Sequence, residues 1–170
     1  LLFEGGVFTN LTHDHLDYHA TFAEYRDVKK SFFDHLPKTA FALTNVDDKN
    51  GDIMLQNTIA KKRSYALKTF ANYRTQILEN QLSGLLLKIN ENEVWTRLIG
   101  TFNAYNLVAI YGVAIELGLE SLEVLRLISE LESVSGRFQF VVSTEKITAI
   151  VDYAHTPDAL ENVLSTINDI

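Results

Sequence analysis

The sequence predicts an α/β sheet fold, and three observations carry that expectation. Short β-prone runs alternate with helical periodicity along the first part of the chain. Between Ser64 and Leu98 the pattern becomes continuously β, as an antiparallel excursion from a sheet would. The chain then closes on a strand followed by a helix, and because a lone βα unit cannot bury itself, that pair reads as the opening of a second domain.

In order, Gly6-Val7-Phe8 is an apolar run whose brevity suits a buried strand. Thr21 and Glu24 have capping-box spacing, and Phe22, Tyr25, Val28, Phe32 and Phe33 then recur at helical intervals up to Leu36-Pro37, which predicts a helix over about 21–35. On such a helix Tyr25, Lys29 and Phe32 share a side, so Lys29 is expected on or beside the apolar stripe. Ala40 to Thr44 reads as a buried strand ended by the turn residues of 45–51, and 52–61 reads as helical. Within the β region the runs are Ser64–Leu67, Tyr73–Asn80, Ser83–Ile89 and Glu93–Leu98, with Asn90-Glu91-Asn92 turning a hairpin. Asn103 is the expected N-cap of an apolar helix from Ala104 to Leu117 that stops at Gly118, and Ser121 opens another helix ending near Glu132. After a loop from Ser133 to Arg137 come β runs Phe138–Ser143 and Ile147–Asp152, then a helix with Pro157 in its first turn and Thr156 or Asp158 near its cap.

The 170 residues, 46% of them apolar, can bury a core of one domain or slightly more. A formal charge of -7 weighs against a nucleic-acid backbone as partner, since such sites need clustered Lys and Arg. The one basic run, Lys61-Lys62-Arg63, reads as a solvated helix end. The sequence contains no cysteine, which removes thiolate chemistry and disulfides and fits a reducing cytoplasm. There is no apolar run long enough to span a membrane, and the opening Leu1-Leu2-Phe3-Glu4 lacks an initiator Met, so the start reads as a cut.

Chemistry concentrates in a few patches. Thr9 to His19 holds three histidines and two aspartates at the carboxyl end of the first strand, where ligands of open α/β sheets bind. Its carboxylates, without any cysteine, favour a hard cation such as Mg²⁺ over structural zinc, while solvent-facing caps and turns would explain the same residues. Lys29 by itself is ordinary for a snorkelling surface lysine. Asn45-Val46-Asp47-Asp48 is by default turn chemistry after a strand. Asn103 and Asn106, three apart at a helix start, face one way and could read a purine edge; capping alone explains Asn103 but leaves Asn106 unexplained. Asp152-Tyr153-Ala154-His155-Thr156-Pro157-Asp158 again follows a strand, and a nucleotide phosphate at the helix start would explain more of it than capping does.

Five of these pieces, in this order, closely resemble the Mur ligases. They are Val7-Phe8-Thr9-Asn10-Leu11-Thr12 with Asp14-His15-Leu16-Asp17-Tyr18-His19; Lys29, fourteen residues after His15; Gly100-Thr101-Phe102-Asn103 with Asn106; Ser135-Gly136-Arg137; and Asp152 to Asp158. The branch they resemble adds the third peptide residue to UDP-N-acetylmuramoyl-L-alanyl-D-glutamate. The resemblance implies a central ATP-binding domain over 1–137, with a mostly parallel sheet flanked by helices and a small antiparallel meander. It implies that 138–170 is the start of the carboxy-terminal ligase domain. It also implies ATP and Mg²⁺ as cofactors and the UDP-N-acetylmuramoyl-dipeptide and an amino acid as substrates of a cytoplasmic, monomeric enzyme with no nucleic-acid or membrane partner. By the same resemblance His15 is a Mg²⁺ ligand and Lys29 a lysine carbamylated by CO₂, its anionic oxygens bridging metal. Asn103 and Asn106 lie on the adenine side, Arg137 approaches the phosphates, and Asp152 reaches the nucleotide, with Tyr153 and His155 in the same motif. Asn10, Asp17 and His19 match motif positions to which no individual role is given.

Departures from the family pattern bound these expectations. No G-x-x-x-x-G-K-[ST] phosphate loop is present. The upstream metal-binding Glu, the uridine-binding domain and the downstream arginine motif that selects the amino acid are also missing from these residues. The 170 residues are therefore expected to be inactive alone. A folylpolyglutamate- or cyanophycin-type ligase, or a non-catalytic relative, would share the layout, but the wording of Asp17-Tyr18-His19 and Tyr153 to Asp158 favours the muramoyl branch.

Overall fold

The computed structural model describes residues 2–12, 21–145 and 147–170. The stretch carrying His15, Asp14, Asp17 and His19 lies outside the described residues. Six strands form one sheet in sequence order: β1 (Gly5–Phe8), β2 (Phe41–Asn45), β3 (Lys61–Ala66), β4 (Tyr73–Gln81), β5 (Gly84–Ile89) and β6 (Asn92–Thr96). The first four run parallel and β4–β5–β6 form the antiparallel meander. Asn90, left-handed at φ 51°, turns the β5–β6 hairpin. It also bridges back to β4, exchanging backbone and side-chain bonds with Arg74.

Alternation along β2 sorts the two cores. Ala42 faces Phe8, Phe33, Leu36 and Met54, the side covered by α1 (Phe22–Asp34) and the single turn α2 (Gly51–Met54). Phe41 and Leu43 face Tyr65, Leu107 and Val108, the side covered by α3 (Thr101–Glu116) and α4 (Ser121–Ser129). The result is a sheet with helices on both faces. A separate two-stranded antiparallel sheet, β7 (Gln139–Val142) with β8 (Thr148–Val151), precedes α5 (Pro157–Asn168). Thr21 caps α1, its hydroxyl accepting from the Glu24 N–H, and Thr156 caps α5 in the same way, accepting from Ala159. Among the described residues no helix is long and apolar enough to cross a membrane.

Several expectations need correction. Residues 52–61 are not a helix: α2 ends at Met54, and 61–63 belong to β3, drawn into the sheet by parallel pairing with Phe41 to Leu43. The basic run is therefore no solvated helix end, because Lys61 and Arg63 turn toward α3 and ion-pair with Glu116. Nor is β3 part of the antiparallel excursion. Asn103 does not cap α3: Gly100, at φ 90°, holds that position, and a Cβ there would meet Thr166 Cγ2 at 2.7 Å. Phe138 lies outside β7 with φ 44°. On α1 the stripe is displaced: Lys29 is exposed while its neighbour Lys30 is buried and ion-paired with Asp34.

Candidate functional site

The carboxyl ends of β1, β2 and β3 converge on one edge of the sheet. Phe8 and Asn45 end their strands there, and the chain beyond each is fastened to the other. Asn45 donates its amide to the Thr9 carbonyl at 3.0 Å, the Leu11 N–H donates to Asp48 at 3.1 Å, and the Tyr65 hydroxyl donates to the Phe8 carbonyl at 3.3 Å. These bonds hold the residues that lead into the histidine-rich stretch. Gly51 is required beneath them, because a Cβ would sit 2.1 Å from the Asn45 carbonyl oxygen.

Asp47 joins the same edge to the helix on the far face. Its carboxylate accepts the N–H groups of Leu67, Lys68 and Thr69 at 2.8, 2.9 and 2.9 Å, and the Tyr105 hydroxyl at 2.9 Å. Partial burial raises its pKa, but the hydrogen bonds from Thr69, Lys68, Leu67 and Tyr105 outweigh that and hold it at about 2. Burial, with the Asp47 charge beside it, pushes the Tyr105 hydroxyl above its ordinary range, so it stays a donor. Tyr105 stands between Asn103 and Asn106, so Asp47 seats the start of α3 at the strand ends. The other end of α3 is fixed by Glu116, which takes Lys61, Arg63 and the Tyr73 hydroxyl at 2.8, 2.6 and 2.6 Å. Burial raises this carboxyl too, yet those donors and the Arg63 charge bring it down to about 2.

Asn103 is half-buried and donates its amide to the Ile99 carbonyl at 2.7 Å, leaving its carbonyl and one N–H available. Asn106 is exposed one turn further along. Lys29 lies across the sheet on α1, its amine 5.0 Å from the Tyr25 ring centroid. It points back toward the helix start, as long helical side chains do. That start faces the same edge, since Lys49 of the β2–α2 loop stands over Phe22.

The remaining predicted residues form one group. Asp152 accepts the Phe138 N–H at 2.7 Å, and Tyr153 donates its own N–H to the Gly136 carbonyl at 2.9 Å. Arg137 lies 5.4 Å over the Tyr153 ring, which in turn packs at 5.0 Å, tilted by 58°, against His155. All these rings and the guanidinium are exposed or half-exposed, as ligand-contacting groups would be.

Residues 1–114 match the Mur ligase middle domain, and residues 136–170 match the glutamate ligase domain of the Mur ligases. The chain belongs to the Mur ligase family. It is 56% identical, over all 170 residues, to the UDP-N-acetylmuramoyl-L-alanyl-D-glutamate–2,6-diaminopimelate ligase of Parabacteroides distasonis, covering 35% of that protein. A solved structure of a ligase of that name superposes with a TM-score of 0.77 at 31% identity, over 98% of this chain and 36% of the other. The MurF ligase of Thermotoga maritima in complex with ADP shares the fold, with a TM-score of 0.74 at 16% identity over 98% of this chain and 39% of its own. This chain thus spans about 35% of the length of the curated relatives it matches.

The sequence marks neither Tyr105 nor Phe138, and it presents Asp47 only as part of a turn. The density of Asn45-Val46-Asp47-Asp48 was a signal, but turn chemistry accounts for those residues, and their long-range donors are visible only in three dimensions.

Proposed function

We propose that this chain is the nucleotide-handling middle and the domain junction of an ATP-dependent amide ligase that joins 2,6-diaminopimelate to UDP-N-acetylmuramoyl-L-alanyl-D-glutamate in the cytoplasm, as a monomer. The observation that carries the reading is the seating of the α3 start at the sheet's carboxyl edge through Asp47 and Tyr105, in a chain of this family. That seating sets Asn103 and Asn106 where open α/β sheets bind ligands. The amino acid is taken from the names of the relatives.

In this reading the γ-carboxylate of the dipeptide attacks the terminal phosphorus of ATP, the bond to ADP breaks, and an acyl phosphate forms. The incoming amine then attacks the acyl carbon, phosphate leaves, and the amine's proton is lost. This chain's share is positioning. Asn106, an exposed residue, reads the base more fully than Asn103, whose amide is half committed to Ile99. Arg137 offers a planar cation to phosphate oxygens once it leaves Tyr153. Asp152, Tyr153 and His155 bound the nucleotide from the second domain, and the domains meet at 137/138.

Magnesium fits only conditionally. Among the described residues no three His, Asp or Glu side chains converge on a cation site. Lys29 as an ammonium would repel one, whereas as a carbamate it would offer anionic oxygens; the resemblance assigns His15, outside the described residues, as the second ligand. Bound there, Mg²⁺ would neutralise phosphate charge.

The deciding experiment is ADP release by the full-length protein with the muramoyl dipeptide nucleotide and diaminopimelate. Turnover requiring both substrates is expected, and no turnover with any amino acid would overturn the reading. The 170 residues alone should release no ADP.

A further inference from the structure

We infer that Phe138 is a positioning residue, whose ring fixes the Arg137–Asp152 segment against the first turn of α3 and so registers the two halves of the nucleotide site. The inference rests on the reading above that both halves hold one nucleotide. Phe138 is 2% exposed although Arg137 before it and Phe140 after it are exposed. Its ring packs on Phe102 at 5.9 Å between centroids, and Phe102 immediately precedes Asn103.

The backbone at this residue is as specific as the ring. Phe138 adopts φ 44°, a left-handed conformation that an aromatic residue rarely takes without compensation. Here the compensation is visible: the turn aims the Phe138 N–H at the Asp152 carboxylate, while the Gly136 carbonyl receives the Tyr153 N–H. Arg137 sits between these two bonds, and its guanidinium is turned onto Tyr153. One buried ring therefore stands on the α3 side, and Arg137 and Tyr153, read above as facing the nucleotide, stand exposed on the other. Thr166 of α5, against Gly100, adds a second contact between the same two parts. A hydrophobic plug with no positioning role would have no need of the left-handed turn or of the bond to Asp152.

The chain lacks cysteine, so two can be introduced for spin labels, at exposed Ile110 on α3 and exposed Leu164 on α5. Distance distributions between the labels should be narrow in the parent and at least twice as wide in Phe138→Ala. Phe138→Leu should recover most of the lost order. Phe138→Gly separates ring from backbone, since glycine accepts φ 44° freely. It should broaden the distribution like alanine, and it carries the test if the alanine variant does not fold. In the full-length ligase Phe138→Gly should raise the KM for ATP about five-fold or more and leave that for the amino acid within two-fold, with Phe138→Leu near the parent. Unchanged distance widths, or an ATP KM within two-fold of the parent, would overturn the inference. Asn106→Ala measured alongside separates the two claims. If it raises the KM for ATP while Phe138→Gly does not, only Phe138's role is lost; if neither does, the nucleotide reading fails with it.

Discussion

Replacing Asp47 by Asn tests the fastening of the site most directly. The native carboxylate accepts three backbone N–H groups and one hydroxyl; an asparagine keeps the shape but offers one carbonyl oxygen and no charge. The fall from an ordinary 3.8 to about 2 corresponds to roughly 2 kcal/mol of stability at neutral pH. A net contribution of about 1.5–3 kcal/mol for a buried charge-assisted hydrogen bond agrees in order, since asparagine keeps one acceptor oxygen and the exposed Lys68 and Thr69 regain water when the carboxylate is lost. Asp47→Asn should therefore lower stability by about 2 kcal/mol at pH 7, or roughly 4–8 °C in Tm for a chain of this size. The sign with pH follows from the depressed folded value. This stabilisation is complete above the unfolded pKa near 4 and is lost as pH falls toward about 2. Urea unfolding of parent and variant at pH 7, 5, 4 and 3 should show a constant gap down to pH 5 and a shrinking one below 4. Equal midpoints at pH 7, or a gap that persists undiminished at pH 3, would refute the argument. Tyr105→Phe should reproduce about 1 kcal/mol of the loss.

Other perturbations separate the parts of the molecule. Glu116→Gln should cost about 2–3 kcal/mol in urea unfolding, since it leaves Arg63 and Lys61 without their carboxylate, and the gap should likewise close as pH falls toward about 2. Lys29→Ala, at an exposed helix position, should leave Tm within about 1–2 °C yet abolish ligation in the full-length protein, with partial rescue by short carboxylic acids. Unchanged activity would dismiss the carbamate. Asn106→Ala should raise the KM for ATP more than that for the amino acid, and a larger effect from Asn103→Ala would contradict the division of labour drawn from the Ile99 bond.

Periodicity was enough for α1, because Thr21, Glu24 and the apolar repeat are local signals that act within one helix. The same holds for Thr156 and Pro157 at α5 and for Asn90 in its hairpin. It failed at 52–61, where the helix stops at Met54 and Lys61 already opens a basic strand, because β2 lies alongside to pair with 61–65 and Glu116 neutralises two of its charges. It failed again at Asn103, because the helix starts at Thr101 and its cap position, at φ 90° and crowded by Thr166, takes Gly100.

The order of chemical groups along the chain was thus determined by sequence alone: a histidine-rich strand end, a lysine on the next helix, two asparagines, an arginine and an Asp-Tyr-Ala-His segment. Those residue types carry their chemistry wherever they are placed. Only the tertiary structure decided which of them meet. Lys29 faces outward and Lys30 inward because one residue on a helix is a 100° rotation relative to the core. Asp47 binds three strand-loop amides and Tyr105 because parallel pairing brings residues about 20 and 58 positions away to one sheet edge. Phe138 is buried on Phe102 because the chain turns left-handed there. Each of these contacts depends on the distance between chain segments, which no local pattern encodes.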